Sequence, residues 1–255
     1  MKGQNHVMED SPRSEYVAVI PAAGAGTRLP DRELSKELLP YGSPETGRKP
    51  VISHLVECLG QAHINDMIVV LRNDKTDIVD YFRGPESGDH NFQITTTPGT
   101  SGVPETVALG LRDAGARNVA FGFPDILFEP RDAFVSLRQQ LDNSAADVVL
   151  GLFPTDTPEK MDMVATDGQG HVTEIQIKPE STQLEVTWIL AAWTPRFSAF
   201  LSANCDGNHL GNAFQLAMAA GFTIDSVTFS NGRSLDIGTP DDLVRADTWE
   251  PSRHG

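Results

Sequence analysis

The sequence predicts a three-layer α/β/α fold on a mostly parallel mixed sheet, with a small antiparallel portion toward the C-terminus. Three observations carry this. The first half alternates short apolar, β-branched runs with amphipathic stretches, as strands joined by crossover helices require. At 255 residues the chain is long enough for one sizeable core. Beyond residue 154 the pattern changes to short strand candidates separated by turn signals such as Asp167-Gly168.

Taken in order, residues 17–20 are the first strand, and 51–59 a helix with Ile52, Leu55, Val56 and Leu59 on one face. Residues 67–71 are a strand, 75–82 a helix, and 92–96 a third strand. The next helix, 103–113, carries Pro104 in its first turn, where a missing N–H costs nothing. A strand over 119–123 ends at Pro124-Asp125, and 132–141 is a helix with Phe134, Leu137, Arg138 and Leu141 at helical spacing. Residues 147–153 are a strand, followed by short strands at 163–166, 171–177 and 186–192. Helices at 195–201 and 212–220, a strand at 223–229 and a closing helix at 240–246 complete a Rossmann-like layout. Residues 1–14 are polar and read as a flexible arm before a single domain over 15–250.

Formal net charge is −15, which argues against a nucleic-acid partner, since a phosphodiester backbone favours basic surfaces. Cys58 and Cys205 are far apart and lack metal-ligand spacing, which points to a reducing, cytoplasmic setting. No stretch is long and apolar enough to span a bilayer, and no secretory signal is present. His54, His63, His171 and His209 share no ligand spacing and read as surface or capping residues.

The most informative stretch is Tyr16-Val17-Ala18-Val19-Ile20-Pro21-Ala22-Ala23-Gly24-Ala25-Gly26-Thr27-Arg28-Leu29, followed by Ser35-Lys36-Glu37-Leu38-Leu39-Pro40. A buried strand runs into small residues, Ala22, Ala23, Gly24, Gly26 and Thr27, whose N–H groups can approach a nucleoside triphosphate. Arg28 and Lys36 bring positive charge to the bend. A P-loop is excluded because no Lys follows the glycines at the required offset, and a dinucleotide fingerprint because Leu29 occupies its last glycine position.

These two segments resemble the sugar-phosphate nucleotidyltransferases, such as glucose-1-phosphate thymidylyl- and uridylyltransferases. Their signature is Gly-x-Gly-Thr-Arg-Leu followed by Pro/Ser-Lys-x-Leu-Leu-Pro. Leu235-Asp236-Ile237-Gly238-Thr239-Pro240 is similar to the same family's closing Asp-x-Gly-Thr-Pro, so the likeness spans residues 16–246. It implies a nucleotide-binding half over 15–153 and an acceptor-binding half over 154–250. It also implies transfer of a nucleotidyl group to a sugar 1-phosphate with release of pyrophosphate.

The resemblance implies a role for each matching residue. Arg28 grips the β- and γ-phosphates through its bidentate fork, and Lys36 serves the α-phosphate and the sugar phosphate. Mg²⁺, a hard cation that takes one or two carboxylates plus phosphates and water, falls to Asp125 and Asp236. Thr97 and Gly102, in Thr97-Pro98-Gly99-Thr100-Ser101-Gly102, occupy the base-reading segment, where Thr97 replaces a frequent Gln. Lys178 matches the family's sugar-phosphate lysine in Ile177-Lys178-Pro179, but Ile177 stands where a hydroxyl-binding Glu is expected. Trp188 lies where it can floor the acceptor pocket, while Trp193 is expected in the core. Lys49-Pro50 matches the family's Lys-Pro, with 42–48 as an apparent insertion, and no hexapeptide repeat follows, as in a catalytic core alone.

Expected partners are a nucleoside triphosphate and a phosphorylated small-molecule acceptor, with a homo-oligomer allowed and neither nucleic acid nor membrane. The departures at Thr97 and Ile177 keep open a cytidylyltransferase acting on another phosphate or phosphonate. A non-catalytic nucleotide or sugar-phosphate sensor is the reading from another class.

Overall fold

The structure, a computed structural model, describes residues 15–26, 34–45 and 47–249. The expected arm, 1–14, falls outside the described residues. Strand β1 (Tyr16–Ala22) is followed by a two-stranded ribbon of β2 (Pro40–Tyr41) and β3 (Lys49–Pro50), and by helix α1 (Val51–Gln61). Next come β4 (Asp66–Arg72), α2 (Thr76–Arg83), β5 (Asn91–Thr97), α3 (Val103–Ala114), β6 (Asn118–Gly122), β7 (Ile126–Glu129) and α4 (Ala133–Asn143). The remainder is β8 (Val148–Pro154), β9 (Asp162–Thr166), β10 (Val172–Ile177), β11 (Val186–Trp193), α5 (Pro195–Ala203), α6 (Leu210–Ala219), β12 (Ile224–Thr228), β13 (Arg233–Asp236) and α7 (Pro240–Ala246). Every element read from the sequence is present.

β1 lies parallel to β4 on one side and to β6 on the other, and β4 continues parallel into β5. β11 runs antiparallel to β6 and β8, and β8 pairs in parallel with β12. The edge of β11 that meets β6 through residues 190–193 meets β9 at Thr187, and β9 pairs antiparallel with β10. β6 and β9 therefore share one edge of β11 at different heights, and the space between them opens toward the carboxyl end of β6.

Period-2 alternation fixes the two faces of the sheet. Tyr16, Ala18, Ile20 and Ala22 of β1 join a core with Ile52 and Leu55 of α1, Ile78 of α2, and Phe134 and Leu137 of α4. Val17 and Val19 face the opposite core, with Val107 of α3, Phe197 of α5 and Phe214 of α6. That gives the three layers. Trp193 is fully buried, and its Nε1 donates to Ser198 Oγ at 3.0 Å.

The pair β7 and β13 was not legible as strands. Pro124, which has no N–H for the ladder, separates β6 from β7, and β7 leaves the main sheet to pair antiparallel with β13. A third small core of Tyr41, Val51, Leu127, Leu235, Ile237, Ala246 and Trp249 seats this ribbon against α7 and the β2–β3 hairpin. The apparent insertion over 42–48 is the connection of that hairpin. α7 begins in a capping box, with Thr239 Oγ1 accepting from Asp242 N at 3.3 Å and Thr239 N donating to Asp242 Oδ2 at 2.9 Å. Such caps contribute about 1 kcal/mol.

One histidine expectation is corrected. His54 is not a surface or capping residue: it lies fully buried in α1, with its Nε2 accepting from Phe128 N at 3.1 Å. Burial pushes its pKa down to about 3, with the Arg131 charge adding to the effect, so the ring is neutral. α1 is buried on nearly every side from Val51 to Leu59, so the spacing of its apolar residues does not show that His54 faces inward. Among the described residues, no helix is long and apolar enough to cross a membrane.

Candidate active site

β1 is parallel to both β4 and β6, so the strand order reverses about it, and open α/β sheets leave a crevice at the carboxyl ends of strands at such a point. A cleft of about 570 Å³ lies there. One wall is formed by Pro21 near the end of β1, Ala23, Gly24 and Ala25 after it, the 98–103 segment leading into α3, and Lys36, Asp125 and Asp236. The facing wall is formed by Met161, Asp162, Lys178, Trp188, Asn208 and His209.

Lys36 sits on a single 3-10 turn, Lys36–Leu38, and its Nζ donates to Asp125 Oδ2. Asp125 follows β6 and is buried. The β7–β13 ribbon brings Asp236 opposite Ile126, and Ile237 N donates to the Asp125 carbonyl at 2.9 Å, which places both carboxylates at one end of the sheet. Burial by itself depresses the Lys36 pKa, but attraction to Asp125, Glu37 and Asp236 outweighs it and holds the pKa above its ordinary value. Lys36 is therefore a fixed positive charge.

Behind Lys36 lies a second, buried ion pair. Lys75 Nζ donates to Glu37 Oε1 at 2.7 Å, and both side chains are almost inaccessible to solvent. Burial pushes the Glu37 carboxyl above the usual carboxylate range, against the pull of Lys75 and Lys36, and its Oε2 has no hydrogen-bond partner among the described residues. Removing either partner of such a pair costs about 3–5 kcal/mol because an uncompensated charge stays buried. Glu37 and Lys75 thus brace the 3-10 turn that presents Lys36.

The expected residues are only partly gathered here. Ala23, Gly24, Lys36, Gly102, Asp125, Lys178, Trp188 and Asp236 line the cleft. Thr27 and Arg28 lie outside the described residues, and Gly26 follows the lining segment with φ +65°. Ala22 is in the core rather than on the wall, because strand alternation turns it toward α1. Thr97 is a correction: it is buried, and its Oγ1 donates to the Gly99 carbonyl at 3.0 Å and accepts from Gly99 N at 3.3 Å, so its hydroxyl shapes the turn instead of facing the cleft.

Ile177 is another correction. It packs against the core on the α6 side and does not line the cleft. Gly102 does line it, yet what approaches its α-carbon is protein: a Cβ there would sit 2.6 Å from the Gly207 carbonyl oxygen and 2.7 Å from Asn208 Cα. Its smallness is needed to dock the loop before α3 against the loop before α6.

The chain matches the MobA-like NTP transferase domain over residues 18–166. It belongs to that family. It is 26% identical over 247 residues to the UTP–glucose-1-phosphate uridylyltransferase AglF of Haloferax volcanii, covering 90% of this chain and 94% of that one. A Bacillus subtilis protein assigned as a UTP–glucose-1-phosphate uridylyltransferase is 29% identical over 164 residues, 56% of this chain and 58% of its own length. In fold, the chain is similar to a Bacillus anthracis structure assigned as a glucose-1-phosphate thymidylyltransferase, solved with sucrose. That likeness has a TM-score of 0.80 at 19% identity and covers 91% of this chain and 94% of the other.

The transferase-domain match takes in the β1 loop, Lys36, Asp125 and Asp162, while Lys178, Trp188 and Asp236 lie C-terminal to it. Sequence reading missed several lining residues: Glu37, Arg72, Lys160, Asp162, Asn208 and His209. Glu37 falls at the variable position of Ser35-Lys36-x-Leu38-Leu39-Pro40, so no motif position marks it. Asp162 gave no signal beyond a polar residue at a strand start.

Proposed function

We propose that the chain is an Mg²⁺-dependent nucleotidyltransferase that couples a nucleoside triphosphate, UTP first, to a sugar 1-phosphate. A phosphate oxygen of the acceptor attacks the α-phosphorus, a new P–O bond forms, the Pα–O–Pβ bond breaks, and pyrophosphate leaves. The observation that carries this is the clustering of Lys36 with Asp125 and Asp236 in a cleft that Lys178 also lines. The relatives named as UTP–glucose-1-phosphate uridylyltransferases support the choice of UTP and glucose 1-phosphate.

Asp125 and Asp236 suit Mg²⁺: they are two hard oxygen donors at one end of the sheet, and among the described residues no third His, Cys, Asp or Glu completes a closed site. A site that leaves positions for phosphate oxygens and water has this form. Mg²⁺, when bound, neutralises charge on the phosphates and on departing pyrophosphate. Lys36 holds the α-phosphate oxygens in line with the acceptor, and Lys178 anchors the attacking phosphate from the facing wall. The short loop after β1 supplies close backbone approach to the triphosphate.

Pyrophosphate release, measured for each nucleoside triphosphate against a panel of phosphorylated acceptors, tests the reading. Turnover with UTP and glucose 1-phosphate is expected. Measurable nucleotide binding without turnover for any pair would contradict it and favour a sensor. The two cysteines, both free thiols, suit a reducing cytoplasm.

A further inference from the structure

The residues on either side of Lys36 are both tied to one place, the start of α2. Before it, Ser35 donates twice to the Asp77 carboxylate, from its backbone N to Oδ2 at 2.6 Å and from its Oγ to Oδ1 at 2.8 Å. After it, Glu37 accepts from Lys75 in the buried ion pair. Lys75 immediately precedes α2, and Asp77 lies in its first turn. Positions 35 and 37 thus meet 77 and 75 in reverse order, with Lys36 between the two contacts and its own Nζ on Asp125.

We infer that Ser35, Asp77, Glu37 and Lys75 are positioning residues for Lys36: they clamp the backbone on both sides of it, and the chemical step depends on them through its ammonium. This rests on the nucleotidyltransferase reading and adds to it the support on which the α-phosphate cation depends.

The local backbone needs such a clamp. The turn is three residues long, closed by Leu38 N donating to the Ser35 carbonyl at 2.9 Å and Leu39 N to the Lys36 carbonyl at 3.2 Å. Hydrogen-bond geometry in a lone 3-10 turn is poor, and a lysine carries its charge on a flexible four-carbon stem, so neither fixes where the ammonium sits. Side-chain anchors at both neighbours supply what the turn lacks. The Glu37–Lys75 pair is also neutral as a unit, so it holds the turn without adding net negative charge against a triphosphate.

The same support reaches a second part of the cleft. Asn73 N, in the connection from β4 to α2, donates to the Thr97 carbonyl at 2.9 Å, and Arg72 and Thr97 are register partners at the ends of β4 and β5. The start of α2 therefore holds the Lys36 turn, while the connection before it holds the root of the 98–103 segment that lines the same wall.

A double-mutant cycle on turnover of UTP with glucose 1-phosphate tests the inference, with labelled pyrophosphate release as the readout. Lys75→Met and Asp77→Ala should each lower kcat by about 10–100-fold and leave the KM of both substrates within about threefold. Lys75→Arg, which keeps the cation, should recover most of the loss. In a Lys36→Met protein the same two substitutions should lower kcat by no more than about a further twofold, because the group they position is gone. Equal losses in both backgrounds would show support unconnected with Lys36 and overturn the inference alone, as would an unchanged kcat or an effect confined to KM. Should turnover of the Lys36→Met protein fall below detection, recovery by Lys75→Arg decides. Should Lys75→Met fail to fold, Glu37→Gln/Lys75→Met, which leaves no lone buried charge, carries the same comparison. Failure of the wild-type protein to form any sugar nucleotide overturns this inference and the enzymatic reading together.

Discussion

The two walls of the cleft are built by different means. On the wall proposed to hold the nucleotide, Gly24, Lys36, Asp125 and Asp236 occupy strand ends and tight turns, and all but Asp125 lie inside a contiguous sequence signature. On the wall proposed to hold the acceptor, Asp162, Lys178 and Trp188 come from β9, the end of β10 and β11, which antiparallel pairing brings together, and His209 comes from the residue before α6. Chemistry common to every nucleoside triphosphate demands fixed charges at fixed places. Choice of acceptor demands shape and hydrogen-bond complementarity, which several strands can supply in different ways.

Breaking the nucleotide wall should have the largest effect. Asp125→Asn and Asp236→Asn should each lower kcat by about 10²–10³-fold or more, with the native circular-dichroism spectrum retained, in a steady-state assay at saturating Mg²⁺. Full activity in either variant would remove that residue from the site. On the acceptor wall, Lys178→Met should raise the KM for the sugar phosphate by about 10–100-fold with a much smaller change for UTP. An equal rise for both substrates would merge the two walls into one.

The loop before α3 joins the walls physically. Gly102→Ala places a methyl group against the backbone of Gly207 and Asn208, and should destabilise the fold by about 1–3 kcal/mol in urea unfolding. The smallest effect concerns the scaffold beneath both walls. The His54 pKa is depressed to about 3 in the folded chain and returns to about 6.5 on unfolding, so the unfolded state binds the extra proton below pH 6.5. Its contribution to stability is complete above about pH 6.5 and declines as pH falls toward 3, by at most about 1.4 kcal/mol per pH unit. Urea midpoints measured between pH 7 and pH 5 should fall, and His54→Leu should show a shallower slope over that range.

Much of this molecule is legible in the sequence because its strands are short, apolar and bounded by Pro, Gly and Asp. The β1 run shows its two faces by simple alternation, and the helices show theirs by spacing. What stayed hidden depends on pairing between distant segments. Phe121 to Phe128 reads as one apolar run, yet Pro124 divides it between two sheets, and only the register with β13 reveals why Asp125 and Asp236 meet. Thr97 and Ile177 sit at motif positions, but local hydrogen bonding and strand alternation turn them away from the cleft.

The central claim is that both walls serve one direct displacement, in which the acceptor itself attacks the α-phosphorus. Exchange of labelled pyrophosphate into UTP tests this most directly. The account predicts label in UTP when glucose 1-phosphate is present and none when it is withheld. Exchange without acceptor, or none under either condition, would contradict it.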